Sequence, residues 1–214
     1  MKLKTSLNCL TTVLLSAALN LPALADDQPA SKKEDKKPDE ADMMAMMMAL
    51  SKPGDNHKVL AGVVGTWSYT VKYWMSPDAP PMESSGTAVA REAMGGRYFI
   101  TDHTGKMQMP GPDGKPVETE FKGMSVEGYD NVKKKFVSSW IDNMGTGIMN
   151  SEGTYDAGSK TLTYRAEYEP MPGMKTKVRE TVKLTDKDHH TFEFFEDREG
   201  KEVKTMEINY TRKS

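Results

Sequence analysis

Three side chains with different hydrogen-bonding chemistry alternate along one predicted strand. Ser138, Trp140 and Asp142 occupy every second position, so they share one face of the strand. Ligand pockets are mostly apolar and contain a few placed polar groups, and a hydroxyl, an indole and a carboxylate on one face fit that description. The pattern therefore favours the binding of a small molecule at this face.

Charged residues on other predicted strands and turns complete this candidate site. Arg97 follows a Gly-Gly turn, and Arg179 lies in the middle of a strand. If either arginine faces Asp142 or Glu193 inside a closed sheet, it would orient a carboxylate or a headgroup. The alternative, which we favour, is a structural ion pair or a solvated arginine. The predicted ligand-binding residues are Arg97, Tyr129, Trp140, Asp142, Arg179 and Glu193.

Methionine is unusually frequent and suggests a second kind of chemistry. Five methionines lie within Met43–Met48, and thioethers are soft ligands that suit Cu(I). His103 lies four residues before Met107, and a turn would bring the two side chains together. We favour a simpler interpretation, in which Met43–Met48 forms an apolar helix that packs on the domain or on a protein partner.

No catalytic signature is present in the chain. It lacks a Gly-x-Ser-x-Gly elbow, a His-Glu-x-x-His motif, a phosphate loop and a dinucleotide fingerprint. Cys9 is the only cysteine and lies in a segment that we expect to be removed, so the mature chain would have neither a thiol nucleophile nor a disulfide. An enzyme is the weakest of the functions considered.

Residues 1–25 have the pattern of a secretory signal peptide. Lys2 and Lys4 precede an apolar run over residues 10–21, and Ala23-Leu24-Ala25 is a small-x-small cleavage site. This predicts an exported, periplasmic protein. Without the two lysines, 27 basic residues remain against 31 acidic ones, and no basic block suggests nucleic acid. No second apolar run is long enough to span a membrane.

The rest of the chain divides by composition into three segments. Residues 26–42 are charged and nearly devoid of apolar side chains, which predicts a disordered linker. Residues 43–52 form the Met-rich helix, since Ala, Met and Leu favour helix and Pro53-Gly54 ends it. Residues 53–214 form one domain, which begins with a second short helix bearing Leu60, Val63 and Val64.

From Gly65 onward the apolar period becomes two, which predicts about ten short strands. Hairpin-length turns separate them, and a longer loop is predicted over Met109–Gly114. No helix is long enough for a parallel crossover, so the sheet is expected to be antiparallel. Such a meander avoids free edges by closing, and the expected fold is an all-β, up-and-down barrel.

The two ends of this domain resemble those of lipocalin-type barrels. The domain opens with Gly65-Thr66-Trp67 and closes with Arg212. The resemblance implies that Trp67 plugs the closed end and that Arg212 packs over it. Gly65, Trp67 and Arg212 are therefore expected to close the barrel rather than to bind a ligand.

The order of short motifs resembles the bacterial domain of unknown function 1579 family. The resemblance extends from Pro53-Gly54 to Lys213, and its motifs are Gly65-Thr66-Trp67, Gly95-Gly96-Arg97-Tyr98, Gly128-Tyr129-Asp130, Ser139-Trp140-Ile141-Asp142, Glu152-Gly153-Thr154-Tyr155-Asp156, Val178-Arg179-Glu180 and Met206–Lys213. The resemblance implies a lipocalin-like, calycin-type barrel and no particular activity. Some related barrels bind haem through a late-strand histidine, which points to His189 and His190. We favour two solvated turn residues, because Asp186 and Asp188 mark an exposed turn.

The leading expectation is an exported, non-catalytic module that binds a small apolar or amphipathic molecule inside its barrel. The alternative is an interaction protein whose barrel is filled by its own side chains. In that case the helix over Met43–Leu50 would dock a protein partner. A Cu(I) or haem cofactor is less favoured than either of these.

Overall fold

The computed structural model describes residues 39–214, which form two short helices followed by ten strands. The predicted signal peptide and nearly all of the predicted linker lie outside these residues. The ten strands close into an antiparallel barrel, which confirms the predicted fold class. Neither of the described helices is long and apolar enough to cross a membrane.

The first helix, α1, spans Glu40–Leu50 and begins earlier than the predicted Met-rich segment. The Asp39 carboxylate accepts a hydrogen bond from the Asp42 N–H at 2.9 Å and so caps the helix. The predicted linker is therefore three residues too long, because its last acidic residues stabilise the first turn. No residue of α1 is buried, and the methionines in Met43–Met48 are 48–65% exposed.

The second helix, α2, spans Asp55–Ala61 and covers one end of the barrel, called here the helix end. Leu60 is 1% exposed and packs in a cluster with Phe99 and Phe136 at the starts of their strands. His57 is also buried, and its Nδ1 accepts a hydrogen bond from the Gly54 N–H at 3.0 Å. The helix thus fills the helix end with side chains.

The strands follow one another with short turns. They are β1 (Gly65–Tyr73), β2 (Met82–Ala93), β3 (Tyr98–Pro110), β4 (Pro116–Asp130), β5 (Lys135–Asp142), β6 (Met149–Asp156), β7 (Thr161–Met171), β8 (Met174–Leu184), β9 (His189–Arg198) and β10 (Lys201–Arg212). Each pairs antiparallel with the next, and β1 pairs with β10. The closing register runs from Trp67↔Arg212 to Tyr73↔Met206. Closure therefore satisfies both edges of the meander.

Two local features differ from the strand pattern expected from the sequence. The predicted loop over Met109–Gly114 is tighter, because β3 continues to Pro110 and the Gly111 N–H donates to the Lys115 carbonyl at 2.7 Å. A bulge in β10 between Lys204 and Met206 adds one residue, Thr205. Its side chain is 1% exposed and its hydroxyl has no partner.

Side chains alternate between the lumen and the outer face of the barrel along each strand. The register puts residues of one face side by side on neighbouring strands. Trp67 and Tyr69 with their partners Ala88 and Tyr210 are almost fully buried, which identifies the inward phase of β1, β2 and β10. The same phase, followed through the ladder, places Ser138, Trp140 and Asp142 inward.

Candidate functional site

The helix end of the barrel is sealed by Arg212, which lies over Trp67. The guanidinium carbon is 4.1 Å from the centroid of the Trp67 ring. Nη1 and Nη2 donate to the carbonyls of Val64 (2.6 Å) and Gly62 (3.0 Å), and Nε donates to Lys187 (2.8 Å). The guanidinium thus has its donors satisfied by backbone carbonyls and its face against the Trp67 ring. Arg212 therefore stabilises the end of the barrel rather than binding a molecule in the lumen.

Gly65 permits this close approach of Arg212. Its φ is +137°, and a Cβ at this position would overlap the Arg212 guanidinium. The Trp67 indole Nε1–H donates to the Val63 carbonyl at 2.8 Å, which fixes the ring. Gly65, Trp67 and Arg212 therefore meet at one end of the lumen, where they hold α2 and the first and last strands together.

Next to this seal lies a buried group of rings, here called the imidazole cluster: His103, His190, Tyr69 and Tyr210. The His190 ring stacks on Tyr210 at 4.2 Å and meets the Trp67 ring edge-on at 4.4 Å. His103 Nε2 is 3.1 Å from the Tyr210 hydroxyl. The Tyr69 hydroxyl donates to a backbone carbonyl of β3 at 3.1 Å. The cluster places two hydrogen-bonding rings inside the barrel.

Burial keeps both imidazoles neutral at physiological pH. It lowers the pKa of His103 and of His190 to about 4, and the nearby Arg212 charge acts in the same direction on His190. A neutral ring has one donor and one acceptor nitrogen. The Nδ1 atoms of both histidines are buried without a partner, so each ring has one unused hydrogen-bonding position.

Two acidic residues form a second polar group in the lumen, here called the carboxyl pair: Glu127 of β4 and Glu180 of β8. Glu180 is 6% exposed and lies between Tyr164 of β7 and Phe194 of β9. The Ser151 hydroxyl donates to the Glu180 carboxylate over a long 3.4 Å. Glu127 retains partial exposure, so the lumen is not tightly filled around it.

The carboxyl pair titrates far above the usual range of carboxylic acids. Burial raises the pKa of Glu127 to about 7. Burial, together with the charge of Glu127, raises the pKa of Glu180 to about 7. The Tyr164 hydroxyl lies beside Glu127 and acts in the opposite direction, lowering the pKa of that carboxyl, although it is not aligned for a regular hydrogen bond. The site thus contains two costly carboxyl groups and an unsatisfied hydroxyl.

Trp140 and Asp142 join this lumen through a direct contact. The Trp140 indole Nε1–H donates to the Asp142 carboxylate at 2.8 Å, and the other carboxylate oxygen accepts from the Met144 N–H at 2.9 Å. A Cβ on Gly123, on the neighbouring strand, would lie 2.5 Å from the Trp140 ring. Glycine at that position therefore lets the indole lie flat across the sheet beside His103, 5.3 Å away.

Beyond the carboxyl pair, towards the end opposite α2, the inward residues are mostly apolar and only partly buried. They are Phe121, Phe194 and Met206, whereas Val71, Phe192 and Ile208 pack against the cluster of Trp67, Tyr69, Ala88 and Tyr210. Further out, Glu196 is neutralised by Arg198 at 2.9 Å and accepts a hydrogen bond from Tyr168. The lumen therefore passes from a sealed aromatic end, through a polar middle, to an accessible apolar region.

Two predicted ligand-binding residues lie on the outer face of the barrel, which corrects the prediction of a lumenal position for them. Arg179 stacks on Phe195 at 3.8 Å on the outer face and bonds Glu202 at 2.9 Å. Glu193 also faces outward and accepts from Thr181 and Lys204, each at 3.2 Å. The reason is the alternation of a strand: Glu180 and His190 have the inward phase, so Arg179 and Glu193 have the outward one.

Arg97 and Tyr129 have roles at the helix end. Arg97 is exposed, and its Nε donates to the Ser51 carbonyl at 2.9 Å just after α1. Tyr129 is partly buried and meets Phe136 edge-on at 5.0 Å and His57 at 5.8 Å. Tyr129 shares the inward phase of β4 with Glu127, two residues away, so three of the predicted residues face the lumen: Tyr129, Trp140 and Asp142.

The histidine predictions are half correct. His189 is exposed and its Nδ1 lies 2.9 Å from the Asp186 carboxylate, as expected for a turn residue. His190, the second residue of β9, is 9% exposed, so the prediction that both are solvated is wrong. The rings of Trp67 and Tyr210 pack against its imidazole at 4.4 and 4.2 Å.

The predicted convergence of His103 and Met107 does not occur. Both lie on β3, which is a continuous strand rather than a turn, so four residues separate them by about 13 Å. Within residues 39–214, no group of three or more His, Cys, Asp or Glu side chains is arranged to hold a metal ion. The described part of the chain therefore offers no such cluster for a cofactor metal.

Sequence analysis missed the most unusual lumen residues, although a signal was present. Glu127 and Glu180 occupy inward-phase positions, two residues from Tyr129 and from Val178 respectively. An acidic residue in the apolar phase of a strand marks a buried carboxyl group. The prediction of Arg179, the residue next to Glu180, rests on the match between a positive charge and an anionic ligand.

These observations define a closed, ten-stranded, up-and-down barrel with polar groups buried in its lumen. The chain belongs to the family described as "Protein of unknown function (DUF1579)", whose model matches residues 52–212. The family resemblance expected from the sequence is thereby confirmed.

A solved structure supports the architecture independently of the sequence. The crystal structure of Rv2717c from M. tuberculosis is similar with a TM-score of 0.51 and 12% identity, over 76% of this chain and 100% of that chain. At such low identity the similarity concerns the fold alone. No curated protein matches this chain.

Proposed function

We propose that this protein is a non-catalytic carrier that binds one small amphipathic molecule in the lumen of its barrel. The observation that carries the proposal is the unsatisfied polar middle of an otherwise apolar lumen. Tyr164 is 1% exposed, and its hydroxyl lacks a partner, as do the Nδ1 atoms of His103 and His190. Native proteins rarely leave such groups unpaired, because each costs about 1–3 kcal/mol.

A bound amphipathic molecule would remove that cost by forming hydrogen bonds with the unpaired groups. Its polar group would bond the unpaired atoms near the carboxyl pair, and its apolar body would lie against Phe192, Phe194 and Ile208. These three side chains face inward and are only partly buried. A barrel of about eight strands is just wide enough either to be filled by side chains or to hold one small ligand, and the proposal requires the second case.

Displacement of a fluorescent apolar probe, N-phenyl-1-naphthylamine, tests this proposal. Ser138 and Ser139 are neighbours on β5, but Ser138 faces the lumen and Ser139 faces outward, where it bonds Asn150. Ser138→Phe should fill the lumen and lower probe affinity by about tenfold or more, since several apolar contacts are replaced. Ser139→Phe is the matched control and should bind like the wild type. Equal binding by both variants would contradict lumenal binding.

We also propose that the carrier is exported to the periplasm. The basis is the sequence of residues 1–25, with its lysines, its apolar run and the Ala23-Leu24-Ala25 site. Mass spectrometry of the protein from the periplasmic fraction of its host should find a chain beginning at Asp26. A full-length chain in the cytoplasmic fraction would contradict export.

A second candidate function is protein docking through α1. Its methionines are 48–65% exposed, and flexible thioether side chains suit adaptable interfaces. Replacing Met44, Met47 and Met48 by Ser should abolish a stable hetero-complex isolated from the host and leave probe binding by the barrel intact. A complex that survives the replacement would exclude this role for α1.

A further inference from the structure

The middle of the lumen contains acidic groups without a matching cation. Glu127 and Glu180 form no ion pair with any residue that the structure describes, although Arg179, the outward neighbour of Glu180, pairs with Glu202 at 2.9 Å. Glu180 has one long hydrogen bond, from the Ser151 hydroxyl. An unpaired buried carboxyl group is held protonated, so a cationic partner is what would keep the carboxyl pair ionised at neutral pH.

Nearby basic groups do not supply that partner. The imidazoles of His103 and His190 are neutral, because burial lowers the pKa of each to about 4. Arg212 is held at the helix end by three backbone carbonyls and the Trp67 ring. Arg179 is on the outer face, where it contacts Phe195 and Glu202.

The other inward acidic residues are already satisfied. Asp142 accepts from the Trp140 indole and from the Met144 N–H, and Glu196 is paired with Arg198. The unmatched negative charge is therefore confined to Glu127 and Glu180.

An independent observation points to a ligand at this position. The Tyr164 hydroxyl is buried, lies beside the carboxyl pair and has no hydrogen-bond partner. Tyr164 is directly opposite Glu180, and Gly153 on the adjacent strand makes room for its ring, since a Cβ there would lie 2.8 Å from it. Two carboxylate groups and a free hydroxyl together form an acceptor-rich site that suits a donor-rich cation.

We propose that the lumenal ligand is an organic amine, whose ammonium group lies between Glu127 and Glu180 and donates to these carboxylates and to the Tyr164 hydroxyl. An ammonium group has three donors and matches these three acceptors. Its apolar body lies against Phe194, which pairs with Glu180, and against Phe192. This inference rests on the lumenal binding proposed above and specifies the chemistry of its polar end.

Three ten-carbon compounds distinguish an amine site from a generally apolar one. Decylamine, decanol and decanoate, each below its micellar concentration, compete with N-phenyl-1-naphthylamine at pH 7.5. Decylamine should bind about tenfold or more tighter than decanol, since hydrogen bonds to charged groups contribute about 1.5–3 kcal/mol each. Decanoate should bind most weakly, because it adds a third negative charge.

Conservative variants identify the groups responsible. Glu180→Gln and Glu127→Gln keep the shape of the side chain and should reduce the decylamine-to-decanol preference to near unity. Glu193→Gln is the matched control on the outer face, where Glu193 bonds Thr181 and Lys204, and it should keep the wild-type preference. Circular dichroism confirms that each variant is folded.

Calorimetry of the wild-type protein provides a test that does not depend on variants. At pH 6.5 the arriving ammonium group should drive protons off the carboxyl pair, so decylamine binding releases protons and its measured enthalpy depends on the ionisation enthalpy of the buffer. Decanol binding should show no such dependence.

The outcomes separate this inference from the broader proposal. Probe binding without any amine preference would overturn the amine assignment and leave lumenal binding standing. If neither the probe nor the three compounds bind, lumenal binding itself is refuted. A preference that survives in both Gln variants would place the ammonium group elsewhere.

Discussion

Replacing Glu180 by Gln should stabilise the protein at high pH and have little effect at low pH. Burial raises the pKa of the Glu180 carboxyl from its usual 4.5 to about 7. A carboxyl group whose pKa is raised by folding favours the folded state fully below pH 4.5. That contribution is lost as the pH rises to about 7, and above this the cost of burying the ionised group is constant.

The magnitude follows from the size of the pKa shift. A shift of about 2.5 units corresponds to about 3 kcal/mol at pH 8, because one unit corresponds to about 1.4 kcal/mol. Gln keeps an oxygen that can accept from Ser151, and it has no charge to bury. For a domain of this size, about 3 kcal/mol raises the melting temperature by about 6–12 °C.

Urea denaturation followed by tryptophan fluorescence measures the effect. The free energy of unfolding of Glu180→Gln minus that of the wild type should be near zero at pH 4.5 and reach about 3 kcal/mol at pH 8. Glu167→Gln is the control, since Glu167 lies on the outer face of β7, 3.7 Å from Lys175. A difference that is the same at both pH values would show that the Glu180 carboxyl does not titrate near 7.

Three further predictions concern the seal, the imidazole cluster and a glycine contact. Arg212→Ala should lower the free energy of unfolding by about 3 kcal/mol. Gly65→Ala should destabilise the Arg212→Ala variant less than it destabilises the wild type, which a double-mutant cycle measures. Additive losses of stability would contradict the contact between the two residues. The pKa of His190 is lowered to about 4, so its contribution to stability is present above pH 6.5 and lost as the pH falls to 4. Between pH 7 and pH 4, the free energy of unfolding of His190→Phe should therefore fall by about 3 kcal/mol less than that of the wild type. The same fall in both proteins would refute this. Gly153→Ala should lower the melting temperature, since overpacking costs about 1–3 kcal/mol, whereas Gly145→Ala, which has no atom within 4 Å of the added Cβ, should not; equal effects of the two would be inconsistent with the packing described.

The barrel was accessible from the sequence because its determinants are local. Alternation along β5 placed Ser138, Trp140 and Asp142 on one face without knowledge of the partners. Turn residues marked the ends of the strands, and the absence of a long helix after Gly65 excluded parallel connections. Together these features determine a closed meander.

The lumen was much less accessible, because it depends on which of two faces turns inward. A single-residue error of phase exchanges Arg179 for Glu180. The same ambiguity applies to His189 and His190, the first two residues of β9, because the first ring is exposed and the second is buried. Contacts across the lumen, such as Ser151 with Glu180, join strands that are not neighbours, and strand periodicity does not report them.

The connection between α1 and the barrel has an evolutionary consequence. Arg97 and Asn131 hold the end of α1 through the carbonyls of Ser51, Leu50 and Lys52, so the barrel recognises main-chain atoms alone at these bonds. Main-chain carbonyls survive almost any substitution. Substitutions of the exposed side chains of α1 should therefore leave its attachment to the barrel intact. The surface of the helix can change during evolution while the barrel stays the same.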